Sequence, residues 1–251
     1  MDKERLKNYI ILLGDNSMVL AHRLSELCGH GPELETDIAL TNLSLDLFGQ
    51  VRYYFQYAAD LAGGDTTEDD VAMLRLEHEY RNALLVEQPN KDFSYVIARQ
   101  FFYDVFHKSL MESLVNSTDD RLAAIARKSI KEVAYHLDFS SLWMKRLGDG
   151  TDESNERLQN AINELWPFTM DLFVITEEEK WAAENKIGPD LNKMKDLFVQ
   201  KVEDVCIEAN IAIPEDVVFI NGGKMGRHSE YMGYILNEFQ FMQRTYPNMK
   251  W

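Results

Sequence analysis

Asp46, Asp104, His107, Glu132 and His136 are of the residue types that hold metal ions or move protons, and each lies in a largely apolar stretch. Asp104 and His107 are three residues apart. Glu132 stands three residues before Tyr135 and four before His136, so these groups share one stripe of a helix. Asp46 belongs to a polar ridge of four-residue spacing, Asn42, Asp46 and Gln50. Carboxylates in apolar surroundings must be paired, protonated or metal-bound, because burying a bare charge costs several kcal/mol. The chemistry they suggest is a carboxylate-bridged di-iron or di-manganese centre, which takes a Glu from each of two helices and Glu-x-x-His from each of two others. The pattern here is incomplete. Asp46-Leu47-Phe48-Gly49 has glycine where histidine is required, and Glu132-Val133-Ala134-Tyr135 has tyrosine there, with His136 one residue late. The first helix presents neutral Asn16 on its apolar face, where a carboxylate would be wanted. The competing reading is a hydrogen-bonded polar cluster of the same five residues, balanced by Arg52, Arg99 or Lys131, with no catalytic, cofactor or metal site in this chain.

The elements that would position these groups are helices. Apolar residues recur at three- and four-residue spacing, and Gly and Pro punctuate between the runs. Long helices are expected over about Arg5–Cys28, Glu33–Leu61, Phe93–Leu114 and Arg121–Leu147. The second is apolar nearly all round and is expected to be central and well buried. Asp65–Asn90 makes a long crossover, with a short helix through about Asn82 and then a loop, Leu84–Asn90, whose apolar residues need burying. Two up-down pairs joined by one long crossover is ferritin-like connectivity. The expected architecture is therefore all-α, a ferritin-like four-helix bundle over about 5–148 with peripheral and C-terminal helices over about 152–251, in a single domain 1–251. Trp166-Pro167 is expected to interrupt a peripheral helix, and Val217–Ile220 is the only plausible strand.

Composition narrows the function. The chain has 251 residues, with 26 Lys and Arg against 42 Asp and Glu and a formal charge of −16. A sequence pI near 4.8 argues against neutralising nucleic-acid phosphates or an anionic membrane. Two cysteines, Cys28 and Cys206, provide no disulfide framework, and no apolar run is long enough to span a bilayer. These features point to a cytoplasmic protein with protein or small-molecule partners. Other motifs read as structural: Glu77-His78-Glu79 as a solvated face, His22 and His30 as caps or charge partners at a helix end, and Gly222–Arg227 as a turn seating the last helix. The aromatic end of the chain, through Trp251, suggests docking against the body or a partner.

Several blocks resemble a known family. Leu13-Gly14-Asp15-Asn16, Cys28-Gly29-His30-Gly31-Pro32-Glu33-Leu34-Glu35 and Leu45–Arg52 are similar to the opening of the C subunit of phenylacetyl-CoA epoxidase. So are Leu85–Asn90, Ile97–Phe101, Lys131–His136 and Arg146–Thr151, and Gly222–Gly233 onward is similar to its C-terminus. The resemblance implies a ferritin-like, structural subunit of a multicomponent monooxygenase of aerobic phenylacetate breakdown. It implies a catalytic di-iron subunit and a bridging subunit as partners, and a reductase that uses NADPH, FAD and an iron–sulfur cluster. No cofactor is implied in this chain, and no catalytic residue is carried over. Two other functions compete: a self-sufficient metal-dependent oxygenase or oxidase using Asp46, Asp104, His107, Glu132 and His136, and a homodimeric module that binds CoA compounds.

Overall fold

The computed structural model describes residues 2–247 and 249, so the expected docking of Trp251 lies outside the described residues. The chain is all-helical, with no strand among the described residues. In order the helices are α1 (Lys3–Ser25), α2 (Leu34–Ala62), α3 (Glu68–Met73), α4 (Leu84–Glu87), α5 (Phe93–Leu114), α6 (Asp120–Gly148), α7 (Asp152–Thr169), α8 (Glu177–Glu184), α9 (Leu191–Glu208), α10 (Glu230–Phe239) and α11 (Phe241–Thr245). Short 3-10 turns occupy Glu77–Glu79, Met170–Phe173 and Gly223–Met225.

Polar side chains start these helices by accepting otherwise unpaired amide hydrogens. Asp2, Asp92 and Asp119 accept from Arg5, Tyr95 and Leu122 at the starts of α1, α5 and α6. Thr67 with Asp70 and Thr176 with Glu179 form reciprocal capping boxes at α3 and α8. The α1–α2 connection is held by Asp37, whose Oδ1 accepts from the amides of Gly29 and Gly31, each at 2.9 Å.

The chain forms two compact units, Met1–Pro89 with Gly222–Trp251, and Asn90–Asn221. Within the first, α1 packs along α2, and α3 packs on α2. Within the second, α5 packs along α6, and α7 and α9 add to α5. Each unit therefore holds one long antiparallel hairpin, the element from which a ferritin-like bundle is built. The second unit's core is strongly aromatic: Phe102, Trp166, Phe173 and Phe198 have ring centroids 5.1 to 6.4 Å apart. Gly148 lets α6 end against the chain after α9, because a Cβ there would lie 1.9 Å from the Ala209 carbonyl oxygen.

Four expectations are corrected. The helix buried almost all round is α5, not α2: Leu34, Ile38 and Leu45 of α2 are half or more exposed. Apolar composition alone did not distinguish burial from an uncovered apolar face. Residues 217–220 are irregular coil rather than a strand; Ile220 N–H donates to the Pro167 carbonyl, but no ladder forms among the described residues. Pro167 does not interrupt α7, which continues to Thr169 without the amide bond that position 167 would otherwise donate to the Asn163 carbonyl. The crossover is also less helical than expected. Only Glu68–Met73 and the single turn Leu84–Glu87 are α-helical, and the latter's apolar side chains are buried as required.

Candidate functional site

The interior of the α5–α6 hairpin gathers part of the expected cluster. Asp104, with no exposed surface, is placed by α5, and His136 and Ser140 by α6 one turn apart. Asp104 Oδ1 accepts from Gln100 Nε2 at 2.7 Å and Oδ2 accepts from Ser140 Oγ at 2.8 Å. Burial pushes its carboxyl up to about 7, against the pull of His136 and of the two hydrogen bonds. His107, one helical turn beyond Asp104, is fully buried; burial and the neighbouring His136 hold its imidazole down at about 3, so it is neutral. Its Nδ1 has no hydrogen-bond partner, and its ring packs 5.0 Å from that of Tyr103.

The other two residues of the expected set are placed differently. Glu132 is half-buried, and Asp46 is half-buried in the other unit. Gly49 and Tyr135, the two positions where the metal motif would need histidine, are both exposed, so an imidazole at either would face solvent. Of the expected balancing cations, Arg52 and Lys131 are exposed. Arg99 is buried and donates to Asn90 Oδ1 at 2.7 Å, while the cationic influence on Asp104 comes from His136. This donor set does not fit a dinuclear centre. A single carboxylate, already accepting from an amide and a hydroxyl, stands with two imidazoles where four carboxylates would be needed. Within each unit, among the described residues, no three His, Cys, Asp or Glu side chains gather closely enough to hold a metal ion.

The first unit holds two charged clusters that spacing did not reveal. Glu87 has no exposed surface and accepts from Asn82 Nδ2 (2.8 Å), the Ser229 amide (2.9 Å) and Ser229 Oγ (2.6 Å). His228 Nδ1 lies 2.5 Å from Glu87 Oε1, and His228 Nε2 donates to the Tyr80 carbonyl at 3.0 Å. Arg23 adds two bonds to the Glu87 carbonyl, 3.0 and 2.8 Å long. In the second cluster Asp15, also without exposed surface, receives both terminal nitrogens of Arg75 and the amide of Arg81 (2.8 Å). The Arg75 guanidinium lies 4.0 Å from the centre of the Tyr80 ring. Asn16, expected as a missing metal ligand, instead accepts from the Ala83 amide at 2.8 Å and so fixes the crossover. The available signal was a lone acid in an apolar run, Leu84-Leu85-Val86-Glu87 and Leu12-Leu13-Gly14-Asp15. His22 and His30 do not cap α1: His22 is mostly buried and stacks on Phe239, and His30 Nδ1 lies 3.2 Å from the Cys28 carbonyl.

The chain is all-helical among the described residues, and over residues 1–251 it belongs to the family described as phenylacetic acid catabolic protein. More particularly, it is 46% identical over 248 residues to the C subunit of 1,2-phenylacetyl-CoA epoxidase of Escherichia coli (strain K12), covering 98% of this chain and 99% of that protein. No helix among the described residues is long and apolar enough to cross a membrane.

Proposed function

We propose that this chain is the structural, non-catalytic subunit of a phenylacetyl-CoA epoxidase complex, acting in the cytoplasm in aerobic phenylacetate breakdown. It pairs with a di-iron catalytic subunit, a bridging subunit joins such pairs, and a reductase with NADPH, FAD and an iron–sulfur cluster supplies electrons. The observation that carries this reading is the state of Asp104. Its two oxygens accept from Gln100 and Ser140, and its carboxyl is held near 7 by burial, so it is tied into a hydrogen-bonded core rather than presented to a metal. The similarity to the C subunit of an epoxidase over nearly the whole chain supports the assignment of the complex.

The test is reconstitution. The purified chain, loaded with iron and supplied with reductase, NADPH, O2 and phenylacetyl-CoA, gives no epoxide, whereas addition of the catalytic partner gives turnover and a co-eluting complex. Turnover by this chain alone would overturn the reading in favour of a self-sufficient oxygenase, and failure to co-elute with the catalytic partner would overturn the pairing.

A further inference from the structure

One face of α2 stays bare over most of the helix. Glu35, Ile38, Asn42, Leu45, Gly49 and Arg52 are all exposed, Ile38 at 50% and Leu45 at 61%. Their spacing alternates three and four residues throughout, which is the seam spacing of a helix that pairs lengthwise with another helix. From Glu35 to Arg52 the stripe runs about 26 Å along the helix axis. The neighbours of α2 within its unit, α1 and α3, leave it uncovered.

The order of the residues decides what fits on it. The stripe is complementary to itself about a midpoint between Leu43 and Ser44: Glu35 and Arg52 stand equally far from that point, as do Ile38 and Gly49, and Asn42 and Leu45. A second copy laid antiparallel across a twofold axis there sets Glu35 against the partner's Arg52 at both ends, Ile38 against the partner's Gly49, and Asn42 beside the partner's Leu45. Gly49 gives Ile38 open helix to lie on, since a Cβ at Gly49 would meet nothing within 4 Å. Arg52 is not committed elsewhere: its Nε lies 4.0 Å from Glu68 and its side chain is 71% exposed, so that contact holds it weakly. A parallel pairing in register would set Glu35 on Glu35 and Arg52 on Arg52, and like charges disfavour it. With a formal charge of −16, two copies repel over most of their surface, and this face is one where opposite charges meet at each end.

We propose that two copies of this chain associate through α2, antiparallel about an axis between Leu43 and Ser44, with Ile38 and Leu45 as the apolar contacts and Glu35 paired with the partner's Arg52 at each end. The seam is one helix wide, so the dimer is reversible rather than obligate. The association belongs to the chain by itself and does not rest on its role in an epoxidase complex.

Sedimentation equilibrium of the full chain tests it. At about 100 µM the wild type sediments as a species of twice 29.1 kDa that dissociates on dilution. Glu35→Arg and Arg52→Glu each weaken association about tenfold or more, because each sets like charges together at both ends. An equimolar mixture of the two variants regains the association of the wild type, since every end contact in the mixed dimer again joins opposite charges. That recovery also shows both variants to be folded. A monomeric wild type, single variants that associate as the wild type does, or a mixture that stays monomeric would each overturn the proposal. A monomeric wild type whose binding to a di-iron catalytic subunit is lost in Leu45→Glu would overturn it as well, and would give the stripe to that partner.

Discussion

Glu87 and His228 form an ion pair with no solvent exposure on either side chain, Nδ1 to Oε1 at 2.5 Å. Because His228 Nε2 also faces a carbonyl, that of Tyr80, both ring nitrogens must donate, and the imidazole is the cation. Burial by itself would lower this histidine; the Glu87 hydrogen bond and charge and the Tyr80 carbonyl outweigh it and raise its pKa above 6.5.

The pair therefore makes stability depend on pH in one direction. A histidine whose folded pKa exceeds its unfolded value contributes fully below about pH 6.5, and the contribution is lost as pH rises through the raised folded value. Thermal melts of wild type and His228→Asn should show their largest difference in Tm below pH 6.5 and a narrowing gap above it. A gap that widens with rising pH would contradict a charged His228.

Removing the anion leaves the histidine, the Ser229 amide and Asn82 without their shared acceptor. Glu87→Ala should cost about 3–5 kcal/mol by urea denaturation, the range for breaking a buried pair from one side. The double change Glu87→Leu with His228→Leu should cost less than the sum of the single changes, since it removes both charges together.

Asp15 does similar work between α1 and the crossover. Asp15→Ala leaves the Arg75 guanidinium with the carbonyls of Val71 and Glu79 as its remaining hydrogen-bond acceptors. A loss of about 3–5 kcal/mol is expected. Lys at position 75 cannot reproduce the two-pronged contact, so Arg75→Lys should recover only part of the stability. Equal stability of the Arg75→Lys chain and wild type in denaturant titrations would refute the two-pronged geometry.

Asp104 has the opposite charge preference to an ordinary surface acid. Its folded pKa of about 7 lies above the 3.8 of the unfolded chain, so the folded state holds a proton that the unfolded state has released between these values. Stability from this group is full below about pH 3.8 and declines as pH rises to about 7. Asp104→Asn should remove that slope and leave the chain relatively more stable at pH 8 than at pH 5, compared with wild type. A carboxylate needed for a metal would behave otherwise, and Asn there would then abolish metal uptake measured by elemental analysis.

Two glycines on long helices should respond in opposite ways. At Gly148 a methyl group meets the Ala209 carbonyl oxygen, a backbone atom that cannot swing aside, so Gly148→Ala should lower stability by about 1–3 kcal/mol. At Gly49 a methyl group meets nothing within 4 Å, and Gly49→Ala should raise stability by about 0.5–1 kcal/mol through helix propensity. Thermal melts of the two variants give the comparison directly.

The helices were legible in the sequence because they are decided locally. Apolar spacing placed α1, α2, α5 and α6 within a few residues of their observed ends, and in the structure Asp92, Asp119, Thr67 and Thr176 start helices through bonds to amides three residues on. Asp104, His107 and His136 were legible as buried for the same reason, since each sits in its own apolar run. What the sequence did not determine was which polar groups meet. Glu87 and His228 are 141 residues apart, and Asp15 and Arg75 are 60 apart, so no helical period connects them. Nor could hydropathy tell that α5 would be covered almost all round while α2 keeps Leu34, Ile38 and Leu45 exposed. A residue's own helix fixes the direction of its side chain, but the partner that offsets its desolvation comes from another part of the chain. That choice belongs to tertiary packing.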